Sequence, residues 1–226
     1  MTHAHFFLIP TIFFLGFFLG GFLSQRNQQR KVNEQEPEVT SISGSILLNS
    51  WPNSGKALAL SFALVFFVFV ATHMFAFFGG SKVLDLALNG APIFDKLPSF
   101  SSTEVADRLN GMGEIGRAMY QRFTYTADLA FPMSLLAFLF CLTRFVAARS
   151  SLTETPRKIL LLLPFIWFGS DVFENAIVFT LIAQFPTTNT PLAGLLGFVT
   201  VSKFGLLLLN VVTASVVSVM YQRKRS

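Results

Sequence analysis

Two carboxylates and an amide interrupt an apolar run in the C-terminal half of the chain. Asp171, Glu174 and Asn175 have the spacing i, i+3, i+4, so a helix places all three on one face, with Trp167 one turn earlier on that face. The surrounding run, residues 159–183, is long enough to cross a bilayer core of about 30 Å. An ionised carboxylate in such a setting needs a partner, a cavity or a proton. The pattern therefore suits ligand binding or proton transfer within a membrane.

Three more ionisable residues, His73, Asp128 and Lys203, lie in other apolar runs. Counting about 1.5 Å per helical residue puts His73, Asp128 and Glu174 at one depth. Lys203 and Asp171 lie about one turn deeper on the same count. We therefore expect these groups to meet in the outer half of the bilayer. The candidate ligand-binding or proton-relay residues are His73, Asp128, Asp171, Glu174, Asn175 and Lys203.

Two hypotheses account for this predicted polar group. In the structural one, Lys203 pairs with Asp171 or Glu174, while His73 and Asp128 bond each other or Tyr125, and the bonds fix the register of the helices. In the functional one, Asp128 and Glu174 hold a cationic or hydroxylated ligand or relay a proton. Three carboxylates face one lysine and one histidine, so we expect at least one acid to be protonated or to meet a group from outside the chain.

Arg117 and Tyr120 stand just outside the predicted third span, in the sequence Gly116-Arg117-x-x-Tyr120. They either anchor the chain at the membrane interface or gate the mouth of a cavity. The sequence has none of the motifs of serine hydrolases, zinc proteases, P-loop enzymes or dinucleotide-binding enzymes. We therefore assign no catalytic residue, and we predict no metal site and no cofactor.

The composition is typical of a multi-pass membrane protein. Hydrophobic residues make up 52% of the 226-residue chain and charged residues only 13%, whereas soluble domains carry about 25% charge. The net charge of +5 comes from basic residues beside hydrophobic runs, which favours membrane anchoring over nucleic-acid binding. Cys141, the single cysteine, lies in an apolar run, so no disulfide or CxxC pair is expected.

The apolar runs predict an all-α protein with five membrane spans. Residues 1–23 form an N-terminal anchor, and residues 24–55 form a flexible cytoplasmic linker. Residues 56–222 form a four-helix transmembrane domain, with an extracytoplasmic loop and amphipathic helix at 81–122. The last three spans are expected at 123–146, after Thr155-Pro156 and after Thr190-Pro191, where the threonines act as N-caps.

The amphipathic helix in the loop has its own start signal. The pair Ser101-x-x-Glu104 is typical of a capping box. An apolar stripe at helical spacing follows, and the glycines 111, 113 and 116 weaken the helix, as would suit a mobile lid. The stripe consists of Val105, Leu109, Met112, Ile115 and Met119.

The distribution of lysine and arginine predicts the orientation. Eleven of these residues lie in the linker, in the loop around Arg149 and at the C-terminus, against five in the segment 82–122. Because positive loops stay in the cytoplasm, the N-terminus is expected outside and the C-terminus inside. No targeting signal other than the anchor is present, which favours a bacterial inner membrane.

Three segments together resemble a pattern found in small bacterial multi-pass proteins of unknown function, and the resemblance implies a family without implying an activity. The segments are Gly116-Arg117-x-x-Tyr120, Asp128-x-x-Phe131-Pro132 and Asp171-x-x-Glu174-Asn175. The anchor with its basic exit resembles N-terminal anchors of bacterial envelope proteins. In outline, the acidic four-helix core is similar to the sterol-isomerase and sigma-2-receptor-like family. There, helix carboxylates hold a cationic amine or a carbocation-like intermediate, so that resemblance implies that Asp128 and Glu174 bind a ligand.

From these features we predict a non-enzymatic membrane protein. It would bind a lipid-like ligand, or a partner membrane protein through its first helix, and it would contact membrane lipids but no nucleic acid. An intramembrane acid–base enzyme resembling an isomerase is the alternative. A small proton- or cation-coupled transporter is less favoured because the chain has no visible internal repeat.

Overall fold

The computed structural model describes residues 55–74 and 81–223, with side chains at 55–74 and 82–220. Every regular element within those ranges is an α-helix, which confirms the all-α prediction for this part of the chain. The predicted anchor at 1–23, and all but the last residue of the linker at 24–55, lie outside the described residues. In chain order the helices are α1 (Gly55–His73), α2 (Ser81–Ala87), α3 (Ser102–Gly111), α4 (Gly113–Thr124), α5 (Ala127–Arg149), α6 (Glu154–Gln184) and α7 (Thr190–Arg223).

Four helical segments of the described chain are long and apolar enough to cross a membrane. Their most apolar stretches have mean hydropathies of 2.0, 1.9, 1.4 and 2.0, and the lowest value belongs to α6, which carries the acidic face. Length and composition thus confirm four of the five predicted spans, and the first falls outside the described residues. The four segments are Gly55–His73, Gly113–Arg149, Glu154–Gln184 and Thr190–Met220.

The predicted amphipathic helix is interrupted. It begins as expected, because the Ser101 hydroxyl accepts a hydrogen bond of 3.2 Å from the Glu104 N–H. It then ends at Gly111, and a second helix, α4, begins at Gly113, whose φ is 67°. Since a positive φ is left-handed backbone, it cannot continue a right-handed helix. The single helix predicted from Ser101 was therefore wrong, and α3 and α4 replace it.

The break at Gly113 also divides the predicted apolar stripe. Val105, Leu109 and Met112 are at most 1% exposed, as the helical spacing predicts. Ile115 is 74% exposed, so it does not share the buried face of the other three. A change of helix direction at Gly113 resets the face that each later residue occupies, and a constant spacing of 3.6 residues does not continue across it.

The three predicted starts of the later spans differ from the observed ones by one to four residues. The third span was predicted to start at 123. In the structure α4 ends at Thr124, and α5 begins at Ala127 after a non-helical Thr126. The N-cap of α6 is Thr153, two residues before the predicted Thr155. At α7 the cap is Asn189, whose side-chain oxygen accepts a hydrogen bond of 3.2 Å from Leu192. The N–H groups in the first turn of a helix have no intrahelical acceptor, so proline is tolerated there. The proline therefore does not show which residue begins the helix.

The helices from Leu58 onward form one compact unit. α6 and α7 pack along each other, and α5 packs against both. α1 contacts α5 through aromatic pairs, with 5.5 Å between the ring centroids of Phe62 and Phe138. We call the end of the bundle near the α6–α7 connection the loop end. There α2, α3, α4 and the loop 88–101 enclose a core that includes Leu88, Phe94, Leu109, Leu181 and Leu196.

Two glycines permit close contacts at the loop end. A Cβ atom at Gly197 of α7 would lie 2.5 Å from the Ser99 carbonyl oxygen and 2.7 Å from the Phe100 ring. A Cβ atom at Gly116 of α4 would lie 2.7 Å from the Ala87 carbonyl oxygen. All three distances are shorter than those that real Cβ atoms show. The loop 88–101 therefore lies directly on α7, and the end of α2 lies directly on α4.

Candidate functional site

An ammonium group held by three carboxylates lies between α6 and α7. The Lys203 Nζ atom is 3.0 Å from Asp95 Oδ2 and 3.2 Å from Asp171 Oδ1. It also forms an ion pair with Glu174 Oε2. An ammonium has three N–H donors, so each carboxylate can receive one. We call these four residues the Lys203 cluster.

The helical spacing of α6 and α7 explains how three members of the cluster meet. Asp171 and Glu174 are one turn apart on α6, so both can face one point on the neighbouring helix. Lys203 lies at that point on α7. One turn earlier on α7, the Thr200 hydroxyl donates a hydrogen bond to Glu174 Oε1 and contacts the Leu196 carbonyl oxygen at 3.0 Å. Both oxygens of Glu174 are thus engaged, as the structural hypothesis of a Lys203–Glu174 pair expects.

Asp95 is a member of the cluster that the sequence reasoning missed. It lies in the loop 88–101, within the charged segment 82–122 and outside the apolar runs from which the candidate residues were taken. The backbone N–H of Phe94 donates a 3.0 Å hydrogen bond to the buried Tyr120 hydroxyl. Two residues after Asp95, the Leu97 carbonyl accepts a hydrogen bond from Arg108. These two anchors, one on each side of Asp95, hold its backbone where the side chain reaches Lys203.

The members of the cluster differ in exposure. The side chains of Glu174, Lys203 and Asp171 are 0%, 4% and 8% exposed. The Asp95 side chain is 26% exposed. Asp95 is therefore the point at which the cluster reaches the molecular surface.

Asp128 lies near the cluster but does not join it. It is in the first turn of α5 and is close enough to Lys203 and Asp171 to interact with them electrostatically. Within the described ranges it makes no hydrogen bond or ion pair, and it is partly exposed. The predicted His73–Asp128 or Asp128–Tyr125 bond was therefore wrong. Depth along a helix can be counted, but the rotation of each helix, which decides whether two side chains meet, cannot.

His73 contacts neighbouring residues of its own helix. Its Nδ1 atom is 2.8 Å from the Thr72 hydroxyl and 3.1 Å from the Phe69 carbonyl oxygen. Its ring stacks on Phe69, with centroids 4.6 Å apart, and meets the edge of Phe131. Asp95 is within electrostatic reach. His73 thus borders the site, and its role in binding or proton transfer stays a prediction.

Two buried side-chain atoms of α6 have neither a hydrogen bond nor an ion pair among the described residues. They are Asp171 Oδ2 and Asn175 Nδ2, on side chains one turn apart, whereas Glu174 Oε2, also without a hydrogen bond, is ion-paired with Lys203. Asp171 is 5% exposed and Asn175 is 8% exposed. An unsatisfied buried polar group costs about 1 to 3 kcal/mol. The same helical face therefore presents one free acceptor and one free donor beside the Lys203 cluster.

Arg117 and Tyr120, the two residues predicted to gate the mouth of a cavity, contact different parts of the protein. Arg117 donates a 2.9 Å hydrogen bond to the Leu109 carbonyl and lies 4.1 Å from the centroid of the Phe185 ring. Tyr120 is 2% exposed and stacks on Phe94 in addition to their hydrogen bond. Arg117 therefore ties α3 to the α6–α7 connection, and Tyr120 holds the loop that carries Asp95. Whether either residue gates the site stays a prediction.

The cluster has more negative than positive formal charge. Three carboxylates share one ammonium, and Asp128 adds a fourth carboxylate nearby. Among the described residues no group of three or more histidine, cysteine, aspartate or glutamate side chains is placed to hold a metal ion. The arrangement can bind a group that supplies positive charge or hydrogen-bond donors, or it can take up a proton.

Fold and site together define an all-helical protein with four helices long and apolar enough to span a membrane and a buried ionic cluster between two of them. No family model, curated protein or solved structure matches the chain.

Proposed function

We propose that this protein is an integral membrane protein that binds a lipid-like ligand beside the Lys203 cluster. We further propose that it lies in a bacterial inner membrane, with the N-terminus outside and the C-terminus in the cytoplasm. The excess of lysine and arginine on one side of the predicted spans supports that orientation. It would place the loop end outside the cytoplasm.

The observation that carries the proposal is the excess negative charge of a site whose side chains are mostly buried. Holding two helices in register needs one carboxylate for one lysine, yet Lys203 has three. Each further buried carboxylate adds a desolvation cost and repels the others. Polar groups kept at such a cost are characteristic of sites selected for function and not for stability. A ligand that supplies positive charge or hydrogen-bond donors would offset the cost.

The unpartnered atoms of α6 support a ligand with both donor and acceptor groups. Asp171 Oδ2 requires a donor, and Asn175 Nδ2 requires an acceptor. A hydroxyl group satisfies both at once, and an amine with a neighbouring oxygen does so as well. The Lys203 ammonium already has a carboxylate for each of its three N–H groups, so it leaves the free oxygen of Asp171 without a donor.

The surroundings of the cluster support a ligand with an apolar body. Phe173 on α6 is 50% exposed, and Phe198 and Phe204 on α7 are 61% and 50% exposed. The Lys203 Nζ atom lies 5.4 Å from the centroid of the Phe204 ring, so this ring adjoins the cluster directly. A ligand with a polar head group at the cluster would thus find apolar surface beside it, as an amphiphile requires.

The test is to identify the lipids that remain bound to the full-length protein after purification in detergent. Native mass spectrometry and lipid extraction would compare the wild type with Asp171→Asn, which preserves shape and removes the carboxylate. Asp107→Asn is the matched control, because Asp107 is an exposed acid on α3. We expect a molecule retained by the wild type and by Asp107→Asn, and lost from Asp171→Asn. Equal retention by all three proteins would contradict the proposal.

A further inference from the structure

The Lys203 cluster is enclosed on most sides by protein. Glu174 is fully buried, and Lys203 and Asp171 are nearly so. Thr200, which donates to Glu174, is 0% exposed. Any molecule or ion that reaches these groups must therefore pass a more exposed residue. Two acids near the cluster meet that condition, Asp95 and Asp128.

Contact with Lys203 distinguishes Asp95 from Asp128. Asp95 Oδ2 lies 3.0 Å from Lys203 Nζ while the same side chain is 26% exposed, so one carboxylate reaches both the surface and the ammonium. Asp128 interacts with Lys203 only at longer range and makes no ion pair among the described residues. A rotation of the Asp95 side chain alone would open Lys203, whereas a rotation of Asp128 would break no contact of the cluster.

The backbone around Asp95 is fixed, which limits the motion to the side chain. Phe94 is bonded to Tyr120, and Leu97 is bonded to Arg108. Ser99 lies against Gly197 of α7. These anchors precede and follow Asp95, so the loop 88–101 is a fixed cover and not a flap.

The charge around Asp95 would determine which ligands can reach Lys203. Asp95, Asp171 and Glu174 surround a single ammonium, and Asp128 lies nearby. A low-dielectric opening lined by excess negative charge attracts cations and repels anions. Lys96 follows Asp95 in sequence, but it is paired with Asp85 at 2.9 Å.

We propose that Asp95 is the entrance residue of the Lys203 cluster and that it selects for cationic or neutral groups over anions. The inference deepens the proposed function, since it assigns the route and charge class of that ligand. A ligand would enter from the loop end, where Asp95 exchanges its contact with Lys203 for a contact with the incoming group. The direct binding contacts would still be made by the residues of α6 and α7.

The test uses a cysteine placed inside the site. Thr200→Cys would be introduced with Cys141→Ala, so that the reporter is the chain's only thiol. The full-length protein in detergent would react with two small methanethiosulfonates, one carrying a trimethylammonium group and the other a sulfonate. We expect Asp95→Ala to raise the rate with the cationic reagent by about tenfold or more, because losing a charge-assisted hydrogen bond shifts an equilibrium by at least that factor. Asp107→Ala, the surface control, should leave the rate unchanged.

A second variant separates opening of the entrance from general loosening. Asp95→Phe fills the entrance and should slow labelling at Thr200→Cys, whereas a loosened fold would speed it. With Asp95 intact, the cationic reagent should react about tenfold or more faster than the anionic one, after correction for their ratio at an exposed Asp107→Cys site. The inference is overturned if Asp95 variants leave the rate unchanged, if Asp128→Ala raises it instead, or if the corrected rates of the two reagents are equal.

The labelling needs no bound lipid, so the two proposals can fail separately. Labelling controlled by Asp95, without any lipid that depends on Asp171, would support the entrance and overturn the proposed function. A lipid that depends on Asp171, with labelling insensitive to Asp95, would support the function and overturn the entrance.

Discussion

Removing Lys203 should destabilise the protein far more than removing one of its acids. In Lys203→Met three carboxylates lose their shared cation, and two of them are at most 8% exposed. Breaking a buried ion pair by deleting one partner costs about 3 to 5 kcal/mol, because the remaining charge is uncompensated. For a chain of this size about 1 kcal/mol corresponds to about 2 to 4 °C. We therefore expect the melting temperature of Lys203→Met to fall by about 6 to 20 °C.

Glu174→Gln should cost much less, because the structure provides replacements for each lost contact. Lys203 keeps Asp95 and Asp171, so its charge stays compensated. The new amide can accept from Lys203 and donate to the Thr200 oxygen, whose own proton can turn to the Leu196 carbonyl at 3.0 Å. The substitution also removes one of the excess negative charges. We expect a loss of about 1 kcal/mol or less, or about 2 to 4 °C at most.

Cys141 provides the assay for both variants. It is the only cysteine of the chain, and it is buried in α5 at 6% exposure. A thiol-reactive dye that fluoresces on reaction would report its exposure as detergent-solubilised protein is heated. Equal losses for the two variants would refute the reasoning that Lys203 compensates several acids. An unchanged melting temperature for Lys203→Met would refute the ion cluster itself.

Two further variants test how the loop 88–101 is held, with the same thermal assay. Gly197→Ala should lower the melting temperature, because its Cβ would lie 2.5 Å from the Ser99 carbonyl oxygen. The control Gly205→Ala should not lower it, because no atom lies within 4 Å of that Cβ. Equal effects would show that helix propensity, and not close contact, determines the change in melting temperature. Tyr120→Phe should cost about 1 to 3 kcal/mol, because it leaves the buried N–H of Phe94 without an acceptor; an unchanged melting temperature would contradict that role.

The part of the site that lies on long helices could be predicted from the sequence. Asp171 and Glu174 share a face because the helical period is fixed, and Lys203 meets them because the rise per residue makes depth countable. The same reasoning failed for the predicted bond between His73 and Asp128, because counting residues gives the depth of a side chain and not the direction in which it points. The rotation of a helix about its own axis depends on packing along its entire length, so it cannot be predicted from a short sequence pattern.

Asp95 could not have been found in this way. It lies in a polar segment among other charged residues, where the usual expectation is a solvated surface. Its position depends on Phe94, which is bonded to Tyr120 of α4, and on Leu97, which is bonded to Arg108 of α3. The interruption at Gly113 that sets the directions of α3 and α4 was itself not predicted. Because the positions of α3 and α4 could not be predicted, the contact between Asp95 and Lys203 could not be predicted either.

The pairing of Lys203 with two acids of the preceding helix bears on how the chain enters a membrane during synthesis. On insertion scales each unpaired charge near the middle of a helix costs about 2.5 to 3.5 kcal/mol, so α6 alone would carry two such penalties and α7 one. The two helices are joined by only the residues 185–189, so they can leave the translocation machinery as a hairpin with the charges already paired. The ion pairs would then make α6 and α7 a single insertion unit, and α6 would remain poorly inserted until α7 is complete.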